Sequence, residues 1–231
     1  THVSEATYYR LFLQDYILDD IDFITYVDCD VFAIRNPKHL LQKHIENMKL
    51  NDKTISVCPE NSLIDYGINE LSLKSNKYFN AGVMIIDMKK WKTNDLKNKF
   101  LKIMYEYQQK LLFWDQDILN IYFDGDFESM DDYLNLKFDM ERINESNLST
   151  NVSLIHYSGK FKPWSIEGAV NNHSEHFQSI YRNLYERKYF FLLNNKKNGL
   201  KNLVKIISNK SIFHSKYPLS YFLNSMNKLL K

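Results

Sequence analysis

The chain has 231 residues, of which 44% are hydrophobic and 15% aromatic, and its 30 basic and 28 acidic residues give a formal charge of +2. This apolar content excludes a mainly disordered chain, and 6 Gly with 4 Pro exclude collagen-like and linker-like chains. No apolar stretch approaches the roughly 20 residues of a membrane-spanning helix. The two cysteines, Cys29 and Cys58, do not make a disulfide scaffold, which favours a reducing compartment.

Short apolar strands alternate with amphipathic helices along the chain. The pattern predicts strands at residues 23–27, 55–58, 82–86 and 152–155, and helices over 4–17, from Asn36-Pro37 onward, from Thr93 or Asn94 to about Lys110, and over 117–123. Asn36 is expected to cap its helix and Pro37 to occupy the first helical position. In the helix over 4–17, the expected apolar stripe is Ala6, Tyr9, Leu13 and Tyr16 or Ile17. Strands alternating with helices predict an α/β layered sheet.

The C-terminal part of the chain is strongly basic. Residues 187–231 contain ten Lys or Arg and no acidic residue, so this segment carries +10 and residues 1–186 carry −8. Apolar residues at helical spacing predict amphipathic helices there, over 200–207 and 219–230. Two interpretations stay open, a membrane-surface helix that binds anionic lipid and a helical pair packed on the domain with solvated lysines. Nucleic acid is not expected as a partner, since no recognition motif accompanies the charge.

Asp28 and Asp30 follow the predicted strand 23–27 directly. In an extended chain, side chains two residues apart point to the same side, so both carboxylates can converge on one hard cation. The carboxyl ends of strands are also where ligands bind in open α/β sheets. A divalent metal there would suit a phosphate-containing ligand, whereas the alternative is an exposed acidic turn.

Two polar segments offer groups to a hydroxylated ligand. Asn80 precedes Ala81-Gly82 and provides both a donor and an acceptor, and the alternative is a plain turn before a strand. Asp115, Gln116 and Asp117 open a helix; the default interpretation makes Asp115 an N-cap, and the functional one sets carboxylate and amide groups against a polar substrate.

The segment from His156 to Trp164 combines a possible metal ligand with phosphate-binding groups. His156 follows a strand and can reach the same sheet edge as Asp28, and an imidazole suits a metal such as Mn²⁺. Gly159 lets backbone N–H groups approach a phosphate, and Lys162 supplies a point charge for a diphosphate. A structural histidine is the alternative for His156 alone.

These segments together resemble glycosyltransferase family 8, retaining nucleotide-sugar transferases of GT-A fold that include bacterial lipopolysaccharide glucosyl- and galactosyltransferases. The resemblance is carried by five motifs in family order: 6–11, 26–30, 78–83 with Trp91, 115–117, and 156–159 with 162–164. It implies an α/β, Rossmann-like mixed sheet flanked by helices, with a basic helical C-terminal extension. It implies a catalytic domain over 1–168 and a helical basic region over 169–231. Because family members begin with a strand and helix that hold uracil and ribose, we expect a nucleoside-binding part upstream of Thr1.

The resemblance also assigns roles to residues. It implies a UDP-sugar donor and a Mn²⁺ cofactor, with Mg²⁺ as the alternative, bound by Asp28, Asp30 and His156. Donor binding falls to Arg10, Asp28, Asn80, Gly159 and Lys162, and the catalytic candidates are Asn80, Asp115, Gln116 and Asp117, of which Gln116 or Asp117 would support the developing oxocarbenium ion. The expected reaction moves glucose or galactose to a cell-surface glycan, glycolipid or glycoprotein, in the cytoplasm at the inner face of a bacterial membrane.

Two other functions stay open. A phosphohydrolase of the haloacid dehalogenase type also has Asp-x-Asp after a strand, here Asp28 and Asp30, and a later Gly-Asp-x-x-x-x-Asp, here Gly125, Asp126 and Asp131. That hypothesis leaves the Asn80, Gln116 and His156 segments without a role. The third hypothesis is a non-catalytic module that binds sugar or membrane.

Overall fold

The computed structural model describes residues 5–138, 149–159, 162–193 and 195–231, and the side chain of Asn172 is also left out of the description. The chain divides into two compact units. The first unit comprises Thr1–Cys29 and Asn36–Asn135, and the second comprises Asp30–Arg35 and Leu136–Lys231. The chain therefore enters the second unit briefly, between Cys29 and Asn36, before it returns.

The described residues form a mixture of strands and α-helices, as the sequence predicts. The strands are β1 (Phe23–Val27), β2 (Val31–Ala33), β3 (Ile55–Pro59), β4 (Phe79–Asp87), β5 (Glu128–Ser129), β6 (Leu136–Lys137) and β7 (Leu154–His156). The α-helices are α1 (Lys38–Leu50), α2 (Ile64–Leu71), α3 (Met88–Thr93), α4 (Leu96–Tyr107), α5 (Asp115–Phe123), α6 (Glu175–Tyr185), α7 (Lys196–Ser208) and α8 (Pro218–Leu230).

The first unit is built on a mixed sheet with the order β1-β4-β3-β5. Strand β4 pairs antiparallel with both β1 and β3, and β3 pairs parallel with β5. A register shift between Val57 and Cys58 marks an irregularity in β3. Nearly every residue of β4 is buried, which explains its continuous apolar sequence rather than an alternating one. The predicted mixed α/β arrangement is confirmed here.

The helix predicted over 4–17 forms as a 3-10 helix, Glu5–Asp15, with non-helical backbone at Phe12. Its predicted stripe is wrong at Ala6 and Tyr9, which are exposed, and confirmed at Leu13 and, of the two alternatives, at Ile17. A 3-10 helix has three residues per turn, so the inward face follows another spacing. Tyr8, Leu11 and Phe12 therefore also belong to the face that packs against the core.

Local helix signals are confirmed in part. Asn36 does accept a hydrogen bond from the backbone N–H of Lys38 (3.0 Å), while Pro37 lies just before α1 rather than inside it. The helix predicted from Thr93 or Asn94 to about Lys110 is observed as α4, Leu96–Tyr107. The prediction missed the short helix α3, which ends at Thr93 and is separated from α4 by Asp95 in the left-handed conformation (φ 50°). Leu96 and Phe100 of α4 are buried.

The second unit contains a mixed sheet with the order β2-β7-β6. Strands β2 and β7 are antiparallel with Val31 opposite His156, and β6 and β7 are parallel. Ile155, Phe138 and Tyr157 form a small core beside this sheet with Phe32 and Phe177. The strand expected over 152–155 is observed one or two residues later, as β7.

A second core joins α7 and α8 to the segment before them. Leu203, Ile206 and Tyr221 pack with Ile166 and Val170, so these helices are an integral part of the second unit. Other apolar residues on the same helices stay exposed: Leu200, Val204, Ile207, Leu219, Leu223 and Leu230. Each helix therefore has one apolar face that packs inward and another in solvent. Among the described residues, no helix is long and apolar enough to cross a membrane. The division at residue 168 stays a prediction.

Candidate active site

Asp28 directly follows β1 in the first unit, and hydrogen bonds fix both its backbone and its side chain. Its backbone N–H donates to Gly82 O (2.8 Å), which extends the β1–β4 pairing. Tyr26, two residues earlier, donates its hydroxyl to Asp28 Oδ1 (2.7 Å). Among the described residues, no hydrogen bond reaches Oδ2 of Asp28, so half of this carboxylate is available to an external partner.

Arg10 brings three separate chain segments together. Its guanidinium donates to Ala81 O (2.5 Å) and to Asp28 Oδ1 (2.8 Å), and its Nε lies 2.6 Å from Asp115 Oδ2. The Tyr26 ring lies 4.4 Å from the guanidinium carbon, which adds a cation–π contact. The predicted donor-binding and catalytic candidates Arg10, Asp28 and Asp115 therefore lie together.

Asp115 is the first residue of α5 and is nearly completely buried. Its default assignment as N-cap is wrong, because that position belongs to Trp114, whose positive φ (51°) is rare for a bulky residue. Burial raises the pKa of Asp115 to about 6, although Arg10 acts in the opposite direction. A buried carboxylate thus titrates close to neutral pH beside Arg10.

The amides of Asn80 and Gln116 form one polar group at the start of β4. Gln116 Oε1 accepts from the Ala81 backbone N–H (3.0 Å) and from Asn80 Nδ2 (3.3 Å). Asn80 Oδ1 in turn accepts from Gly82 N–H and from Asn135 Nδ2, both at 2.9 Å. Both amides are half-buried, so these predicted sugar-facing residues are fixed but still reachable.

The surroundings of Asp117 do not favour the predicted catalytic contact with a sugar. Asp117 is fully buried, and its oxygens accept from Tyr78 OH (2.5 Å), Tyr66 OH (2.8 Å) and the Phe113 backbone N–H (2.7 Å). Both carboxylate oxygens of Asp117 therefore already accept hydrogen bonds from within the chain. The carboxylate links the segments that contain Tyr66, Tyr78 and Phe113. Asp117 lies one position from Gln116 in sequence, but on the inward side of α5.

The second unit brings Asp30 and His156 together through strand register. Asp30 precedes β2, His156 ends β7, and the antiparallel register sets Val31 opposite His156. Asp30 O also accepts from the Tyr157 N–H (3.0 Å), and His156 Nε2 lies 3.3 Å from Asp30 Oδ1. The predicted pairing of a strand-end aspartate with a distant histidine is therefore present.

Lys162 completes this cluster. Its Nζ donates to Asp30 Oδ2 (2.6 Å) and to Tyr157 O (2.7 Å). Burial alone would raise the pKa of Asp30, but the hydrogen bonds and charges of His156 and Lys162 outweigh it and lower that pKa to about 2. Asp30 is thus an anion at all physiological pH values. Lys160 and Phe161, in the same motif, lie outside the described residues.

Two glycines shape the loops around the cluster. Gly159 is exposed and has a φ of +83°, which non-glycine residues rarely adopt. At Gly168, an added Cβ would lie 2.0 Å from the Lys162 carbonyl oxygen, so only glycine fits there. Ser165 supports the same turn, because its backbone N–H and its hydroxyl both donate to Lys162 O.

Sequence reasoning gave no role in the site to Tyr26 and Tyr78, although both lie in its motifs, and it did not single out Gly168. A period-two pattern could have found Tyr26, since it shares a strand side with Asp28. Tyr78 and Gly168 act through contacts with residues 39 and 6 positions away, which no local pattern reveals.

The sequence matches the family described as "Glycosyl transferase family 8" over residues 1–168. The chain therefore belongs to glycosyltransferase family 8. Among curated relatives, it is 28% identical to General stress protein A of Bacillus subtilis, over 71% of this chain and 61% of that protein. It is 27% identical to a lipopolysaccharide 1,3-galactosyltransferase of Salmonella typhimurium, over 71% of this chain and 50% of the relative. The chain thus spans about half to three fifths of the length of these two relatives.

The fold also matches a solved structure. A crystal structure of galactosyltransferase LgtC, in complex with donor and acceptor sugar analogues, aligns with a TM-score of 0.64 and 26% identity. The alignment covers 78% of this chain and 67% of that one. The predicted GT-A fold is thereby confirmed. Family membership removes the support for a haloacid dehalogenase, and Asp126 and Asp131 instead pair with Lys53 and Lys43.

Proposed function

We propose that residues 1–168 carry the catalytic part of a retaining hexosyltransferase. It would move glucose or galactose from a UDP-sugar to a cell-surface glycan, glycolipid or glycoprotein. The observation that carries the proposal is the cluster of Asp30, His156 and Lys162. In this cluster the Asp30 carboxylate lies 3.3 Å from the imidazole Nε2 of His156 and 2.6 Å from the ammonium group of Lys162. Such a set suits a divalent cation together with a diphosphate, which is the common part of all UDP-sugars.

Asp28, Asp30 and His156 are the residues that we propose for cation binding. Asp28 keeps Oδ2 without a hydrogen bond from the described residues, and only Cys29 separates it from Asp30 in the chain, so their Cα atoms are at most about 7 Å apart. Two carboxylates with one imidazole suit Mn²⁺, with Mg²⁺ as the alternative. When bound, the cation supplies positive charge that offsets the diphosphate.

The protein groups account for the rest of the chemistry. Cleavage of the bond between the sugar and the phosphate leaves negative charge on UDP. We propose that Lys162 exchanges its contact with Asp30 for the diphosphate, with Gly159 allowing close approach, and stabilises that charge as it develops. On the first unit, Arg10, Asn80, Asp115 and Gln116 would face the sugar. Asp117 would act only through the residues it braces.

Release of UDP tests this function. The full-length gene product is incubated with UDP-glucose and UDP-galactose under Mn²⁺, Mg²⁺ or a chelator. We expect cation-dependent UDP release, and Asp30→Asn lowers the rate about 100-fold or more because it removes one of the charges that hold the cation. Asp126→Asn is the matched control, since this exposed carboxylate pairs only with Lys53. No release with either cation, or equal rates for both variants, would contradict the proposal.

We propose further that the second unit binds the anionic inner face of a bacterial membrane. Helix α8 carries three exposed leucines as well as Lys228, and in α7 the exposed Leu200 and Val204 directly precede Lys201 and Lys205. Apolar contact area combined with basic charge is typical of interfacial helices. This site would keep the enzyme near a lipid-linked acceptor on the cytoplasmic side.

Vesicle sedimentation tests the membrane proposal with point variants. Removal of residues 190–231 would also expose Ile166 and Val170, so it cannot separate binding from folding. Leu219→Ser with Leu223→Ser changes only exposed side chains, and Leu184→Ser on α6 is a control of similar exposure. We expect the double variant to lose sedimentation with phosphatidylglycerol vesicles, while the control keeps it. Equal sedimentation of all variants would rule this surface out.

A further inference from the structure

Tyr78 connects a buried carboxylate to a predicted sugar-facing amide. Tyr78 directly precedes β4, and its side chain is fully buried. The hydroxyl donates to Asp117 Oδ1 (2.5 Å) and accepts from Gln116 Nε2 (3.3 Å). Burial and the neighbouring Asp117 raise the pKa of Tyr78, so the phenol keeps its proton.

The neighbours of Gln116 allow only one orientation of its amide. The Ala81 backbone N–H can only donate, so the atom that faces it, 3.0 Å away, must be the oxygen. On the other side, the Tyr78 proton is directed to Asp117, so the hydroxyl can only accept from Gln116. An inverted amide would place two donors against each other at Ala81 and two acceptors at Tyr78.

One proton of Gln116 Nε2 is not used inside the chain. Among the described residues, the amide nitrogen donates only to Tyr78 OH. Gln116 is half-buried, in contrast to the fully buried Asp117 beside it. The second Nε2 proton is therefore available to a ligand, whereas Oε1 is already occupied by Ala81 and Asn80.

We propose that Tyr78 is a positioning residue for glycosyl transfer, which fixes the Gln116 amide so that its N–H, rather than its carbonyl oxygen, is presented to the donor sugar. The inference rests on the proposed function of Gln116, and it adds which atom is presented and what orients it. Asp117 fixes the direction of the Tyr78 hydroxyl proton, and the Tyr78 hydroxyl in turn fixes the orientation of the Gln116 amide.

NMR of the Gln116 side-chain amide tests the orientation without activity. The two Nε2 protons are assigned in the 231-residue chain by their loss in Gln116→Ala. Tyr78→Phe removes only a hydroxyl, and we expect it to shift the proton bonded to Tyr78 upfield and to speed exchange with solvent. Tyr66→Phe is the matched control, since that hydroxyl bonds Asp117 but not Gln116. Unchanged Gln116 signals in Tyr78→Phe would overturn the proposal.

A second variant covers the case in which Tyr78→Phe fails to fold. In Asp117→Asn, the new oxygen must accept from Phe113 N–H, so the new NH₂ group faces Tyr78. Tyr78 then has to accept from residue 117, and its own proton turns towards Gln116. We expect the same shift of the Gln116 signals as in Tyr78→Phe. Signals identical to those of the wild type would again overturn the relay.

Steady-state kinetics separates positioning from structural support. We expect Tyr78→Phe to lower kcat about tenfold with little change in the donor KM, the effect of one hydrogen bond. Tyr66→Phe keeps kcat within about twofold. In a Gln116→Ala background, Tyr78→Phe has no further effect on kcat; an equal loss in both backgrounds would contradict the proposal. If the wild type releases no UDP, the proposed function fails, and the NMR result alone decides on the orientation.

Discussion

The two units hold their candidate site residues in different ways. In the first unit, Arg10 and Gln116 are fixed by contacts with other side chains and backbone groups, and Arg10 is only 9% exposed. In the second unit, strand register and a glycine-dependent turn position Asp30, His156 and Lys162, and Lys162 is 28% exposed. Under the proposed function, the first arrangement would be preorganised for the hydroxyl groups of a sugar. The second would exchange its own ion pairs for an external cation and a diphosphate.

The largest effect expected on stability comes from Arg10. Arg10→Met leaves Asp115 buried without its cation, which costs about 3–5 kcal/mol of unfolding free energy for a broken buried pair. Urea unfolding at pH 8 measures this loss. The double variant Arg10→Met with Asp115→Asn should recover part of it, because no buried charge is left. Equal losses in the single and double variants would show that Arg10 stabilises the unit by packing alone.

The pH dependence of stability should reveal Asp115. Its pKa of about 6 in the folded chain lies above the ordinary 3.8, so the folded state holds a proton that the unfolded state releases between these values. The contribution of this proton to the free energy of unfolding is fully present below pH 4. It falls by about 3 kcal/mol as the pH rises through 6. Unfolding of wild type and Asp115→Asn from pH 4 to pH 7 measures it. A difference between the two that stays constant with pH would contradict this assignment.

A smaller effect is expected in the second unit at Gly168. Gly168→Ala forces a Cβ against the Lys162 carbonyl oxygen, and we expect a loss of about 1–3 kcal/mol as the turn shifts. Gly199→Ala in α7 is the matched control. There the Cβ meets side-chain methyl groups of Leu193, Leu229 and Ile166 rather than backbone, and alanine favours the helix by up to about 1 kcal/mol. Similar thermal shifts for both variants would mean that the Lys162 turn can relax.

Local patterns predicted most of the strands and helices but not the contacts that organise the site. Periodicity found β1, β3 and α1, and the end of β1 correctly marked Asp28 as a residue at a sheet edge. It failed for Asp115, which was expected to cap its helix. The carboxylate of Asp115 instead pairs with Arg10, which lies 105 positions earlier and is therefore invisible to a local pattern. It failed for the first helix, where 3-10 geometry changes the spacing of the buried face.

The C-terminal helices show the same limit. Their apolar spacing predicts amphipathic helices, and the structure shows that α7 and α8 bury Leu203 and Tyr221 but expose Leu200 and Leu219. Spacing alone cannot divide apolar residues between a core and a free surface, since both faces use the same side chains. Only the packing against Ile166 and Val170 makes that division.

Cation binding tests the central claim most directly. Mn²⁺ is added in small amounts to the ¹⁵N-labelled chain, and the backbone amide signals that broaden are mapped, with Asp126→Asn as a control for surface carboxylates. We predict that the signals of residues 28–30 and 156–158 broaden first, that a chelator restores them, and that Asp30→Asn abolishes the effect. Broadening confined to other acidic residues, or unaffected by Asp30→Asn, would contradict a cation site formed by Asp28, Asp30 and His156.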